Sequence, residues 1–146
     1  MSVYICNNCF SDNLQYVLIG KEKRPKLMCF DCKTIDDYFE CDDLCANTII
    51  TLNKNGYITK FSCEGHYCSE NRIYHPYIRF RNRISNELFN EVINNLNNKM
   101  NLTKFYIDEN SISFYLCDRF DRNIFNKWKF ELWMNIEEIL IDLLQE

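Results

Sequence analysis

Cys6-Asn-Asn-Cys9 and Cys29-Phe-Asp-Cys32 set four thiols in two pairs, each with a two-residue spacer and with nineteen residues between the pairs. Such a spacer lets both sulfurs of one turn reach a single tetrahedral ion, and a second turn supplies the other two ligands of a four-thiolate zinc site. The competing uses of these thiols are packing and redox exchange; the latter needs only one Cys-x-x-Cys in a strand-helix-strand setting. A second group of donors follows in Cys63-Glu-Gly-His66-Tyr-Cys68. Cys63 and His66 have the spacing of a metal knuckle, with Gly65 to permit a tight turn. Cys41 and Cys45, four apart and so on one side of a helical turn, would complete a second zinc site, with Cys68 competing for the fourth place. The same residues also read as buried thiols, or as a nucleophile, Cys63, with His66 as base and Asp42 or Glu64 as orienter.

Arginines form the third group. Tyr77-Ile-Arg-Phe-Arg-Asn-Arg83 alternates as a strand, so Arg79, Arg81 and Arg83 are expected to leave it from one face. Arg72, His75 and Tyr77 extend that patch. Guanidinium forks suit phosphate or carboxylate, and Tyr or His can stack on a base. The alternative is a solvated row paired with the carboxylates of residues 85–146, where eleven acids face six Lys or Arg. A smaller basic group, Lys21, Lys23, Arg24 and Lys26, occupies the tip between the two cysteine pairs and reads either as a contact surface or as a solvated turn.

These groups need elements to position them. Leu-Gln-Tyr-Val-Leu-Ile and Lys-Leu-Met, between the cysteine pairs, read as two strands of a hairpin. After the acidic connector 34–43, a helix capped by Asp42 or Asp43 is expected to run to about Lys54, where Asn55-Gly56 closes it. Residues 57–63 and 77–83 read as strands, and Ser85 with Glu87 and Glu91 opens a second helix to about Lys99. Ile49–Phe61 aligns without gaps to Ile93–Phe105, matching Ile, Leu-Asn and Thr-Lys-Phe at the same offsets. With a hairpin turning at Glu109-Asn110, that match predicts a helix-strand-strand unit used twice. Asn126–Trp133 alternates with period two, which favours a strand. Asn135-Ile-Glu-Glu138 looks like a capping box opening the last helix, whose Ile136, Ile139, Leu140, Leu143 and Leu144 form an apolar face.

At 146 residues, 47% of them hydrophobic, the chain can bury a core. It has no apolar run of membrane-spanning length and Met1-Ser-Val-Tyr4 does not read as a signal peptide, so a cytoplasmic protein without a membrane partner is expected. In that compartment an odd number of cysteines, nine here, means metal ligands and buried thiols more than disulfides. The net charge of −4 argues against coating duplex DNA and leaves room only for a local anion-binding surface, centred on residues 71–84 with four arginines and no carboxylate. The bias toward Asn, Ile, Lys, Phe and Tyr points to an AT-rich genome, that of a low-GC bacterium or its phage.

Residues 3–35, with their paired Cys-x-x-Cys turns, resemble the zinc ribbon family. Leu52–His66 followed by Tyr77-Ile-Arg-Phe80 is similar, over residues 41–82, to small uncharacterised proteins of low-GC bacteria and their phages. The Thr59-Lys-Phe-Ser-Cys63-Glu-Gly65 turn more remotely resembles the Ser-Ser-Cys-Ser-Gly-Arg turn of the wybutosine-synthesis methyltransferases, which act on tRNA with S-adenosylmethionine; His66 stands where that family has Arg. The sequence thus predicts an α+β protein, with a zinc ribbon over residues 1–40 and a small antiparallel sheet with helices on one face over 41–146. It predicts a non-enzymatic protein holding one or two zinc ions that recognises nucleic acid or an acidic, nucleic-acid-processing protein, in the manner of a phage-encoded regulator or inhibitor of a host defence machine. The rival expectation is an enzyme that modifies RNA or a nucleotide at the Cys63/His66 turn.

Overall fold

The computed structural model describes residues 1–21, 24–84 and 86–144. Lys23, counted with the basic tip, and Ser85, expected to open the second helix, lie outside them. The amino-terminal part is built from β1 (Ser2–Cys6), the hairpin β2 (Leu14–Val17) and β3 (Lys26–Cys29), and β4 (Tyr38–Asp42). Strand β4 returns to pair antiparallel with β1, from Ser2 opposite Asp42 to Cys6 opposite Tyr38. The boundary expected at residue 40 therefore falls inside a paired strand, and Ile5 of β1 belongs to the same buried cluster as the rest of the chain.

A 3-10 turn at Asp43–Cys45 leads into α1 (Ala46–Lys54) and β5 (Thr59–Cys63). A small hairpin follows, β6 (His66–Ser69) and β7 (Arg72–Tyr74), and then β8 (Tyr77–Phe80), α2 (Asn86–Lys99), β9 (Thr103–Ile107), β10 (Ser111–Leu116) and α3 (Arg122–Leu144). Strands β5, β8, β10 and β9 form one four-stranded antiparallel sheet in that order. This is an α+β fold, and the helix-strand-strand arrangement occurs twice in it. α1 leads into β5 and β8, α2 into β9 and β10, with the inner strands β8 and β10 side by side. The aligned positions agree: Thr59 and Thr103 each begin an outer strand, and Leu52 and Leu96 are both buried.

Alternation sorts the sheet into two faces. Ile78 and Phe80 of β8, and Ile112 and Phe114 of β10, are buried against the helices. Phe80 meets Phe89 of α2 at a ring-centroid distance of 5.6 Å, and Phe114 meets Trp133 of α3 at 6.0 Å. The opposite face carries no helix among the described residues.

Two local expectations are overturned. Residues 126–133 are not a strand, and the last helix does not open at Asn135: α3 runs unbroken from Arg122. Its buried residues Phe125, Trp128, Leu132, Trp133, Ile136, Ile139 and Leu140 follow helical spacing across the whole segment. The alternating run includes Phe130, which is more than half exposed. The start signal is Asp121, whose carboxylate accepts the Ile124 amide at 2.9 Å. Strand β8 also stops at Phe80, so Arg81 and Arg83 lie in the bend toward α2 and only Arg79 leaves the strand itself.

One buried lock joins α1 to β5. The Asn53 amide donates to the Ile49 carbonyl at 2.7 Å and the Thr59 hydroxyl at 3.0 Å, and its oxygen accepts the Thr59 backbone N–H at 3.1 Å. Its counterpart by the internal alignment, Asn97, is exposed. Asn53→Ala is expected to lower stability in urea denaturation by about 1–3 kcal/mol, because it leaves the Thr59 amide unpaired in a half-buried site. Asn97→Ala should change it by less than about 0.5 kcal/mol.

Candidate metal centres and the open sheet face

Cys6 ends β1 and Cys29 ends β3, and each strand is followed by the same turn. In the first, the Phe10 amide donates to the Cys6 carbonyl at 3.0 Å and the Cys6 amide to the Ser11 carbonyl at 2.9 Å. In the second, Lys33 N–H reaches the Cys29 carbonyl at 2.8 Å and Cys29 N–H the Thr34 carbonyl at 2.9 Å. Phe10 and Lys33, the residues after each second cysteine, both adopt left-handed backbone, with φ of 61° and 67°. The two turns are thus copies of one knuckle facing each other.

Their sulfurs converge. Cys6 and Cys32 Sγ are 3.6 Å apart, Cys9 and Cys29 Sγ 3.5 Å, and all four lie within 4.8 Å of one another. A tetrahedral zinc–thiolate centre with bonds of about 2.3 Å has sulfur–sulfur edges of about 3.8 Å, so these positions need only small adjustments to enclose an ion. The Asn8 amide points at Cys6 Sγ from 3.4 Å and the Thr34 hydroxyl lies 3.1 Å from Cys32 Sγ. Hydrogen bonds from Asn8 and Thr34 hold the Cys32 thiol down to about 6, whereas burial pushes Cys9 up to about 12. The four cysteines form a cluster close enough to hold a metal ion, consistent with a zinc ribbon.

The donors expected to make a second zinc site divide into two pairs. Cys41 Sγ lies 3.7 Å from Cys45 Sγ and 3.7 Å from the Ser62 hydroxyl, both thiols being buried. Cys63 and His66 lie instead with Asp42, the three ligand atoms within 4.8 Å of one another. Alternation is the cause. Cys41 and Asp42 are consecutive on β4, as Ser62 and Cys63 are on β5, so neighbours point to opposite sides. Cys41 meets Ser62 on one side, and Asp42 meets Cys63 on the other. The hydrogen bond from Cys45 holds the Cys41 thiol below its ordinary value, and the same bond together with burial pushes Cys45 up. Burial also raises Cys63. Cys68 is exposed on β6 and stands outside both groups. Sequence reasoning placed Asp42 as a helix cap or an orienter. Its side chain makes no cap bond in the structure and turns to the Cys63–His66 turn instead, accepting the Glu64 amide at 3.0 Å and facing His66 Nε2 at 3.1 Å.

The arginine and tyrosine positions fall on or beside the helix-free face. Strand register sets Cys63, Tyr77, Ser113 and Tyr106 in one row across the four strands, and Phe61, Arg79 and Ser111 in the next. Phe61 is 55% and Tyr106 63% exposed, and Tyr77, Tyr115 and Arg79 are exposed as well. A depression of about 290 Å³ lies among Phe61, Tyr77, Arg79, Asp108, Asn110, Ser111 and Ser113. Sequence reasoning missed Phe61, Tyr106 and Tyr115; the strand pairing that brings them to one face with Tyr77 is not a local property of the chain. His75 packs its ring on Tyr115 at 4.8 Å, and burial lowers its pKa. Arg72 is on the β6–β7 hairpin, its Nε donating to the Tyr74 hydroxyl at 2.9 Å. In the basic tip, Lys21 and Arg24 are exposed and Lys26 approaches Asp36 at 4.0 Å. No described helix is long and apolar enough to cross a membrane.

No protein-family model, curated protein or solved structure matches the chain. The site geometry therefore stands alone as the basis for a functional reading.

Two outcomes are expected. Zinc competition against a chromophoric chelator should show the ribbon's affinity rising with pH through the neutral range. Cys9, with its raised pKa, still holds a proton that binding must displace, and each displaced proton contributes about tenfold per pH unit. Gly65, at φ 97°, is the second test. A Cβ there would stand 2.9 Å from Pro76 Cγ and 3.3 Å from Phe125 Cζ. Gly65→Ala should cost about 2–5 kcal/mol in urea denaturation, from the backbone strain and the clash together.

Proposed function

We propose that the protein is a non-enzymatic, metal-binding recognition protein, its amino-terminal zinc ribbon joined to a sheet that binds single-stranded nucleic acid on its helix-free face. The observation that carries this reading is the placing of Phe61, Tyr77, Tyr106 and Tyr115 on that one face, with Arg79 beside Phe61. Exposed aromatic rings on a four-stranded antiparallel sheet stack on unpaired bases, and every base offers a π-face. Ser111 and Ser113 keep the ground between the rings low. Arg79, with Arg81 and Arg83 exposed in the adjoining bend, supplies positive charge for phosphates.

The overall acidity fits a single strand held by stacking better than a duplex held by a wide basic surface. The ribbon's exposed Lys21 and Arg24 are a second place for an acidic or nucleic-acid-processing protein to dock. A regulator or inhibitor encoded by a phage of a low-GC bacterium, working in the reducing cytoplasm, fits the AT-biased composition. An enzyme built on the Cys63–His66 turn, as the likeness to the wybutosine-synthesis methyltransferase turn implies, is the weaker reading. Burial raises the Cys63 thiol, the opposite of what a nucleophilic cysteine needs.

Fluorescence anisotropy with short single-stranded RNA and DNA tests the proposal. Tyr106→Ala and Phe61→Ala should each weaken binding by about 1–3 kcal/mol. With three arginines engaged, affinity should fall with salt at a log–log slope of about −2. Binding unchanged in Phe61→Ala, Tyr106→Ala and Arg79→Ala would remove the sheet face as the recognition surface.

A further inference from the structure

We propose that Asp42, Cys63 and His66 bind a second zinc ion, with a fourth coordination position open to solvent beside Tyr77. Three strand ends bring these donors together: Asp42 closes β4, Cys63 closes β5 and His66 opens β6. Asp42 Oδ2 and His66 Nε2 are 3.1 Å apart, close to the edge of a tetrahedron whose metal bonds are about 2.0–2.2 Å long. The three ligand atoms lie within 4.8 Å of one another.

The Cys63 turn presents its sulfur as the ribbon does. In the ribbon the amide two residues after Cys6 points at its sulfur from 3.4 Å; here the amide of Gly65, two residues after Cys63, points at Cys63 Sγ from the same distance. An N–H aimed at sulfur favours the thiolate that a metal requires. Asp42 is fixed in turn by the Glu64 amide, which donates to the oxygen that faces His66.

The turn is also held from behind. Trp133 Nε1 donates to the Glu64 carbonyl at 2.9 Å and Lys129 Nζ to the Gly65 carbonyl at 2.8 Å. Lys129 also lies 3.6 Å from the Glu64 carboxylate, so that acid is already paired. What remains is one carboxylate, one thiolate and one imidazole, a net charge that a divalent ion neutralises. The donor set fits zinc, which accepts sulfur, nitrogen and oxygen together, and does not fit magnesium or calcium, which take oxygen. Three protein ligands leave one of the four tetrahedral positions of zinc for water or another small donor. The His66 side chain is 43% exposed, and Cys63 is the cross-strand neighbour of Tyr77 on the open face, so that position looks outward.

This inference does not depend on nucleic-acid binding, and metal content reads it separately. Full-length protein purified without added metal is analysed by elemental mass spectrometry together with Asp42→Asn, Cys63→Ser, His66→Ala and, as a control, Cys41→Ser. Two zinc ions per chain in the parent and in Cys41→Ser, and one in each of the other three, is the expected result. One ion in every protein overturns the proposal. So does loss of the second ion in Cys41→Ser with retention in Asp42→Asn, which would put it on the Cys41–Cys45 side. The parent grown on cobalt decides the matter without variants. Its thiolate-to-cobalt absorbance per ion should correspond to five thiolate bonds shared by two ions, and four bonds on one ion would refute the second site.

Discussion

The indole of Trp133 joins the core to the edge of the molecule where its chemistry is concentrated. Its ring is buried against Phe114 of the sheet, and its N–H leaves that apolar setting to meet the Glu64 carbonyl. A buried indole N–H without a partner would cost about 1–3 kcal/mol, so the position of the turn and the packing of α3 are fixed by the same bond. Lys129, one helical turn earlier, adds the bond to Gly65. The last helix therefore both closes the core and sets where Cys63 and His66 stand relative to Asp42.

What could be read from the sequence was what is local. Each ribbon knuckle is specified within a few residues, and the two copies face each other because a short hairpin returns the chain. The duplicated unit was legible because Leu52 and Leu96, and Thr59 and Thr103, occupy equivalent structural places. The last helix was misread where Trp128, Phe130 and Leu132 alternate by chance. Only the longer series from Phe125 to Leu140 shows helical spacing, and Asp121, which caps it, lies outside the alternating run.

The second donor group was misjudged for another reason. Cysteine chemistry favoured Cys41 and Cys45 as partners of Cys63, while strand geometry put them on the far side. The choice between Cys41 and Asp42 turns on a single residue, and in a strand a single residue decides the face. The aromatic face was hidden in a similar way. Tyr77 and Tyr106 lie far apart in sequence and meet in one row through Ser113, because β10 is paired on both sides.

That row has a consequence for how the molecule is organised. Cys63 stands at one end of it, next to Tyr77, and Tyr106 at the other, so the donor cluster and the aromatic platform share one surface. The β6–β7 hairpin interrupts the first helix-strand-strand unit between β5 and β8 and brings His66 to that surface. In the second unit Ile107 and Ser111 are joined by a plain turn, with nothing in the place of His66. The two halves of the sheet share a backbone plan, and the inserted hairpin makes them chemically unequal. The second half contributes Tyr106, Ser113 and Tyr115 to the open face. The first adds to the aromatic Phe61 and Tyr77 the thiol of Cys63 and, through the inserted hairpin, the imidazole of His66, and β4 brings the Asp42 carboxylate to them at the edge of that face.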